Sequence, residues 1–107
     1  MFVLKGLTLP CFATIFPSVR KAGDGGYESM SDEIEAMVNE QPGFLGLESV
    51  REPNGNGITV CYWKSIDDIK RWKDEALHRE AQERGRLEWY AEYGIRIVEI
   101  KETYDWH

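Results

Sequence analysis

The chain of 107 residues is poor in the residues that mark several common classes of protein. It contains two cysteines and two histidines, at positions that do not follow the spacing of a zinc site. A chain with 42% hydrophobic residues can bury a core without a disulfide, so we expect Cys11 and Cys61 to be free, buried thiols. Neither a metal site nor a disulfide framework is predicted.

Positive charge and long apolar runs are also scarce. The chain carries 13 basic and 19 acidic residues, a formal net charge of −6, and the basic residues of 64–86 are interleaved with acidic ones. Nucleic-acid binding uses clustered Lys and Arg, so nucleic acid is not an expected partner. No apolar run approaches the ~20 residues that span a bilayer, and residues 1–10 lack the features of a signal peptide. We expect a cytoplasmic protein with no membrane segment.

The strongest structural signals lie in residues 41–72. The apolar run in 44–50 favours a strand, and the stretch 54–57 (NGNG) supplies residues that tolerate the positive φ of a hairpin turn. Residues 58–63 (ITVCYW) are β-branched or aromatic almost throughout, which is typical of a strand. These patterns predict a β-hairpin.

A helix is predicted directly after the hairpin. Ser65 is a suitable N-cap, and Asp68 three residues later completes a pair that resembles a capping box. Ile66, Ile69 and Trp72 recur at helical spacing, which predicts that their common face packs inward.

Weaker patterns complete the order of elements. A first strand is predicted at 11–20, with Pro17 at a bulge or at its end, and a helix at 27–39. Helical character continues to about residue 90 with a break at Gly85, and a final strand is predicted at 93–103. The order βαββαβ predicts an α+β ferredoxin-like sandwich: a four-stranded antiparallel sheet with both helices on one face.

The sheet face away from the helices is expected to be apolar, and such a face is normally an interface. We therefore predict a homodimer that packs sheet on sheet, with all of 1–107 in one domain. Residues 1–10 are predicted to form an arm, and 104–107 an aromatic tail that is a candidate clasp. The residues expected to be partly exposed on this face are Cys11, Ala13, Ile15, Leu45, Leu47 and Ile97.

Four short segments carry a family resemblance: PGFLG at 42–46, YWKS at 62–65, Trp72, and HR-x-A at 78–81. In combination they resemble the antibiotic biosynthesis monooxygenase (ABM) family of the dimeric α+β barrel superfamily, over about residues 11–102. The resemblance implies a dimeric α/β barrel with a cavity between each protomer's sheet and helices. It also implies cofactor-free oxidation of a polycyclic phenol or quinol by O₂ or, in one branch, haem degradation.

The carry-over of site residues is incomplete. In the quinone-forming members a tryptophan matches Trp63, but the positions of an asparagine and a tyrosine hold Thr59 and Ile69. These three, with Trp72, are the candidate residues around a substrate.

The haem-degrading branch matches less well. Its helix tryptophan matches Trp72, but the position of its axial histidine holds Gln82, and its first-strand asparagine is replaced by apolar residues near Ile15. Glutamine is a poor iron ligand, so haem is disfavoured and no cofactor is expected.

The candidate catalytic residues are His78 and Trp63. An unperturbed histidine has a pKa near 6.5, which suits a base that removes a phenolic proton at neutral pH. Arg79 and Arg96 are candidate donors to the developing oxyanion. Each residue has an ordinary alternative: Trp63 as part of the core, and His78 as a surface histidine paired with a carboxylate.

Two functions remain open at this stage. One is a cofactor-independent monooxygenase acting on a small aromatic or quinol-type compound with O₂, and the other is a non-catalytic dimeric module that binds a small molecule. Convergence of His78 and Trp63 in one pocket favours the first. A cavity filled by Trp72, Met30 and Met37 favours the second.

Overall fold

The computed structural model describes residues 2–21, 35–82 and 90–106, without the side chains of 76–82 and 90. Two helices and five strands lie in these residues: α1, described over 35–39, α2 at Ile66–Gln82, β1 at Cys11–Arg20, β2 at Phe44–Arg51, β3 at Asn56–Trp63, β4 at Tyr90–Tyr93 and β5 at Arg96–Ile100.

The strands form one antiparallel sheet with β1 in the middle. β3 pairs with one side of β1, and β4 and β5 pair with the other, while β2 continues the sheet beyond β3. Together with the helices, this strand order is that of the ferredoxin-like sandwich, so the predicted α+β fold class is confirmed.

The predicted hairpin and its turn are confirmed. β2 and β3 contain the predicted strands and extend them slightly toward the turn. Gly55 adopts a φ of +99°, and its N–H donates to the carbonyl of Glu52 at 2.9 Å. The Glu52 N–H in turn donates to the carbonyl of Asn56 at 2.7 Å. A residue without Cβ takes such a φ at little cost, which explains this reversal.

The predicted start of α2 is also confirmed. The Asp68 N–H donates to the Ser65 hydroxyl at 3.2 Å, and that hydroxyl donates to the Asp68 carboxylate at 2.8 Å. This satisfies one of the free N–H groups at the helix N-terminus and places negative charge beside it. The predicted break at Gly85 lies outside the described residues.

The prediction for the last strand was wrong in its bounds. Residue 90 already belongs to β4, pairing ends at Ile100 rather than at residue 103, and the strand is interrupted at residues 94 and 95. The same number of residues separates the flanking pairs on β1 and on β4–β5, so no residue is inserted.

Pro17 explains the interruption. It lies opposite Gly94, whose N–H donates to the Pro17 carbonyl at 3.0 Å. Proline has no N–H to return the second bond of the pair. The predicted irregularity at Pro17 therefore appears in its neighbouring strand, while β1 itself continues to Arg20.

Side chains alternate between two faces of the sheet. The inner face packs against α1 and α2, and the outer face lies on the opposite side. Inner-face positions on the three central strands and β5 include Phe12, Thr14, Phe16, Ser18, Leu47, Ser49, Thr59, Cys61, Trp63 and Ile97. Outer-face positions include Cys11, Ala13, Ile15, Val50, Ile58, Val60, Tyr62 and Val98.

Two residues expected on the outer face lie on the inner one. Leu47 is paired with Cys61 and Ile97 with Thr14, and directly paired residues share a face. For Leu47 the cause is the register shift between Phe44 and Gly46, an irregularity that local alternation does not reveal.

The two cysteines are free, as predicted, and lie on opposite faces. Cys11 and Ala13 belong to the outer face but are 0% and 1% exposed, so the expectation that they are partly exposed was wrong.

The N-terminal arm (residues 2–10) lies against the outer side of β2. The Leu4 N–H donates to the Glu48 carboxylate at 3.0 Å, and the Leu4 side chain covers Gly46, where an added Cβ would lie 2.8 Å from it. The Gly6 N–H donates to the Asp105 carboxylate at 2.9 Å, which joins the arm to the C-terminal residues.

Candidate functional site

One end of the inner face is an aromatic cluster built around Trp63. This tryptophan is fully buried at the end of β3. The Phe44 ring meets it edge-on with centroids 5.2 Å apart, and the Trp72 ring of α2 stacks on it at 6.5 Å. Val38 of α1 and Ile69 of α2 complete the core around it. These contacts hold the indole in one orientation.

The indole N–H of Trp63 is buried and has no acceptor among the described residues. A buried donor without an acceptor is unfavourable, by roughly 1–3 kcal/mol in mutational series. Most such groups in folded proteins are satisfied. The indole N–H of Trp63 is therefore a fixed and unsatisfied hydrogen-bond donor within the aromatic cluster.

A polar row follows the aromatic cluster along β3 and its neighbours. The Thr59 and Ser49 hydroxyls lie 2.7 Å apart and share a hydrogen bond across β2 and β3. The Thr14 side chain on β1 hydrogen-bonds the thiol of Cys61. A purely structural inner face would be expected to continue with apolar side chains. This stretch is instead lined with small groups that can donate or accept hydrogen bonds.

The thiol of Cys61 is neutral at physiological pH. Burial raises its pKa to about 11, the Thr14 hydrogen bond lowers it by less, and the negative charge of Glu35 on α1 raises it further. Nucleophilic attack and metal binding both require the thiolate. The neutral thiol of Cys61 is therefore a weakly polar group on the inner face and not a nucleophile.

The far end of the inner face carries a charge and an aromatic pair. The Arg51 guanidinium donates to the Ser18 hydroxyl and to the carbonyl of Gly55, and Ser18 is 5% exposed. The Phe16 and Tyr93 rings lie 5.7 Å apart. Gly57, the β3 residue that pairs with Ser18 and Arg51, lies six positions before Trp63, roughly 20 Å along a strand.

The structure brings three of the predicted site residues together. Trp63, Trp72 and Ile69 are in mutual contact within the aromatic cluster, and Ile69 is 2% exposed. Thr59 lies on the same face but four residues away, in the polar row, about 13 Å along the strand. It thus belongs to a different part of the face from the tryptophan beside which it was predicted to act.

Two of the predicted residues are placed by backbone alone. His78 and Arg79 belong to α2, but their side chains lie outside the described residues. Met30, which the binding-module hypothesis expects to fill the cavity, also lies outside the described residues. Arg96 is described, and its role as an oxyanion donor was wrong: it pairs with Ile15 on the outer face.

Sequence reasoning missed the polar row. Thr14 and Ser49 carry no motif and stand in ordinary strand sequence. Their placement beside Cys61 and Thr59 follows from the pairing of β1 and β2 with β3, which sequence alternation alone does not fix. Alignment of β1 with β3 so that Phe12 lies opposite Trp63 would have predicted this row.

Metal and membrane signals are absent from the described part of the chain. Within residues 2–21, 35–82 and 90–106 no three His, Cys, Asp or Glu side chains are grouped as metal ligands. No helix in those ranges combines the length and apolar character needed to cross a bilayer.

Two solved structures share this fold. One is SnoaB, a cofactor-independent oxygenase from Streptomyces nogalater, which has a TM-score of 0.68 at 15% identity over 88% of this chain and 96% of its own. The other is the heme-degrader MhuD from Mycobacterium tuberculosis, with two hemes bound in its active site. Its TM-score is 0.65 at 20% identity over 88% of this chain and 99% of its own. At these identities the similarity shows the fold alone.

Sequence similarity is stronger to one bacterial protein and to one family model. The uncharacterized protein YqjZ of Bacillus subtilis (strain 168) is 42% identical over 99 residues, which are 92% of this chain and 87% of that protein. The family model "Monooxygenase af470-like" matches residues 20–106. The chain therefore belongs to the monooxygenase af470-like family, which confirms the ABM resemblance found in the sequence.

Proposed function

We propose that the protein is a cofactor-independent monooxygenase that uses O₂ to oxidise a small aromatic or quinol-type compound held against the inner face. Membership of a monooxygenase family supports oxygen chemistry. The fold shared with SnoaB, a cofactor-independent oxygenase, supports a reaction in which the substrate itself supplies the electrons.

The observation that carries the proposal is the position of the Trp63 indole N–H. It lies buried within the aromatic cluster, without an acceptor among the described residues. A planar phenol or quinol has a ring that packs against the aromatic cluster and an oxygen that accepts from a fixed donor. A preorganised donor in a dry site stabilises charge that develops on such an oxygen.

The reaction balances without any bound redox group. In an anthrone-type substrate, a base removes a proton from the CH₂ flanked by aromatic rings, and the resulting anion passes electrons to O₂. The CH₂ becomes C=O with one oxygen atom, and the other leaves as water with both hydrogens, so the substrate supplies all four electrons. The candidate base is His78, whose ordinary pKa lies near 6.5, and Trp63 is the donor to the substrate oxygen.

Haem is disfavoured by the residue at the matched ligand position. Glutamine occupies the position at which the haem-degrading branch carries its histidine ligand, and it is a poor ligand for iron. The described thiol on the inner face, Cys61, has a pKa of about 11 and is not a thiolate at neutral pH. The Trp72 ring is stacked on Trp63 within the core.

The proposal is tested by oxygen consumption and quinone formation with a panel of anthrones and quinols. Trp63→Phe keeps an aromatic ring and removes the N–H, and His78→Gln removes the base. Trp106→Phe is the matched control, because this tryptophan is 95% exposed. We expect the loss of one donor to an oxyanion to lower kcat about 10²-fold or more, and the control to leave it unchanged. Wild-type rates retained by both site variants would contradict the assigned roles.

A non-catalytic binding module is the second candidate, favoured by the full burial of Trp63 under Trp72 and Phe44. It predicts that the same compounds quench tryptophan fluorescence of the wild type without consuming oxygen. Trp63→Phe would then change affinity but no rate, which separates the two functions.

A further inference from the structure

A groove separates the N-terminal arm from the open end of the β2–β3 hairpin. Its volume of about 400 Å³ is within the range of sites that hold small organic molecules. We call it the arm groove, and its walls include Leu4, Lys5, Leu7, Leu9, Leu45 and Lys64. No described residue of the aromatic cluster or of the polar row lines it, so the arm groove is distinct from the inner-face site described above.

Hydrogen bonds hold the walls of the arm groove in place. On the arm, the Leu4 N–H donates to the Glu48 carboxylate at 3.0 Å, and the N–H of Gly6 donates to a carboxylate of the C-terminal residues at 2.9 Å. On the hairpin, the Lys64 N–H donates to the Gly43 carbonyl at 2.8 Å. A site whose walls are already fixed loses less conformational freedom when a ligand binds. The arm groove is therefore a preformed cavity.

The arm groove offers apolar surface to a ligand. Leu9 is 41% exposed. Leu4, Leu7 and Leu45 are each half-buried, so the chain leaves part of this leucine surface in contact with water. Removing apolar surface from water is favourable in rough proportion to the area that is buried. An aliphatic chain that lies along these leucines is therefore stabilised in the groove.

Two lysines without an anionic partner line the same groove. The ammonium groups of Lys5 and Lys64 form no hydrogen bond or ion pair with any residue in the described part of the chain. The two carboxylates that contact the arm, those of Glu48 and Asp105, accept backbone N–H groups instead. An ammonium group forms its strongest hydrogen bonds with carboxylate or phosphate oxygens. The charge of the groove therefore complements an anion, although the chain as a whole has a net charge of −6.

We propose that the arm groove binds a small amphipathic carboxylate, a molecule that carries one carboxylate on an aliphatic chain. The chain lies along the leucine side chains, and the carboxylate pairs with Lys5 and Lys64. This binding site is independent of the oxidation proposed above, because it uses no residue of the inner face.

The first test measures octanoate binding to the wild type by isothermal titration calorimetry. Octanoate combines the carboxylate with the aliphatic chain, octanol keeps the chain without the charge, and acetate keeps the charge without the chain. We expect octanoate to bind, octanol to bind at least about 10-fold more weakly, and acetate to give no heat of binding. Octanol that binds as tightly as octanoate overturns the proposal, and so does octanoate that fails to bind at millimolar concentration.

The second test removes the positive charges of the groove one at a time. Lys5→Gln and Lys64→Gln are each expected to raise the octanoate dissociation constant about 3- to 10-fold, the effect of losing one partly exposed charged partner. Lys73→Gln, the same change on the exposed side of α2, is the matched control and should leave the constant unchanged. All three variants change the net charge equally, so a general electrostatic effect would also appear in the control. Equal affinities in the groove variants and the control contradict the proposal.

Nuclear magnetic resonance of isotope-labelled protein locates the bound octanoate. The amide signals of Leu7 and Thr8 in the arm groove are expected to shift during the titration, while that of Thr59 on the inner face stays in place. Thr59→Val should accordingly bind octanoate with unchanged affinity. Shifts confined to the inner face would refute the arm groove as the site. A negative oxidation assay has no bearing on this result, because the two sites share no described residue.

Discussion

The two faces of the sheet are built from the same strands but carry different side chains. The inner face combines a buried aromatic cluster at one end with hydroxyl and thiol groups along its length. The outer face carries partly exposed valine and isoleucine side chains and an arm held by a carboxylate. Recognition of a small polar molecule requires fixed donors in a dry cavity, whereas association with another chain requires apolar area.

Hydrogen bonding shows the same contrast. On the inner face the bonds join small side chains on neighbouring strands, as between Thr59 and Ser49. On the outer face the Tyr62 hydroxyl donates to Glu48 at 2.6 Å, and Glu48 also accepts the Leu4 N–H. The inner bond joins two hydroxyls across neighbouring strands, and the outer ones fix the N-terminal arm against β2. Successive residues of β3 therefore take part in different hydrogen-bond networks on opposite faces.

The largest expected difference is in stability, between two positions on β3. Trp63→Ala should lower the free energy of unfolding by about 3–5 kcal/mol, because it removes a fully buried ring and leaves a cavity. Ile58→Ala should cost less than about 1.5 kcal/mol, because Ile58 is 39% exposed on the outer face. Urea unfolding at low protein concentration, where association does not contribute, provides both values. Equal losses would mean that the outer face is as well packed as the core.

The next prediction uses the pH dependence of stability. Burial raises the pKa of the Cys61 thiol from an ordinary value of 9.0 to about 11, so the folded state holds the proton more tightly. Between these values unfolding releases a proton, and the free energy of unfolding falls as pH rises from about 9 to about 11. The fall due to this thiol is about 2–3 kcal/mol, and below pH 9 it contributes no pH dependence.

Tyr62 provides the comparison on the outer face. Burial, and then its hydrogen bond to Glu48, raises the pKa of this phenol to about 12, so its contribution is lost only between about pH 10 and 12. Unfolding of the wild type, Cys61→Ala and Tyr62→Phe is measured from pH 8 to 12. Cys61→Ala should flatten the profile from pH 9 to 11, and Tyr62→Phe should flatten the higher range. Identical slopes for all three would refute the burial of both groups.

The sequence predictions succeeded for features that depend on neighbouring residues and failed for features that depend on residues far away in the sequence. The hairpin and the Ser65 cap depend on residues within a few positions of one another, and both were predicted correctly. The face occupied by Leu47 depends on a register shift against β3, and the interruption of the last strand depends on Pro17 in a strand far away in the sequence. These are pairing effects, which local patterns do not contain.

The candidate site shows the same limit. Trp63 was identified because it stands at the recognisable end of a strand, whereas Thr14 was not, although its side chain contacts Cys61. Arg96 was a candidate donor to the developing oxyanion, but its pairing with Ile15 of β1 places it on the outer face. Residue type indicated the chemistry, and only the register assigned it to a face.

The smallest expected effect tests whether the polar row serves a ligand. Thr59→Val keeps the side chain's shape and leaves the Ser49 hydroxyl without its partner at 2.7 Å. The free energy of unfolding should fall by only about 0.5–1.5 kcal/mol, the net value of one hydrogen bond. If the polar row contacts substrate, Thr59→Val should raise KM or lower kcat by more than a small loss of folded protein can explain. Val60→Ala, next along β3 on the outer face, is the matched control and should leave both kinetic constants unchanged. Normal kinetics in Thr59→Val would confine the substrate to the aromatic end, beside the indole N–H of Trp63.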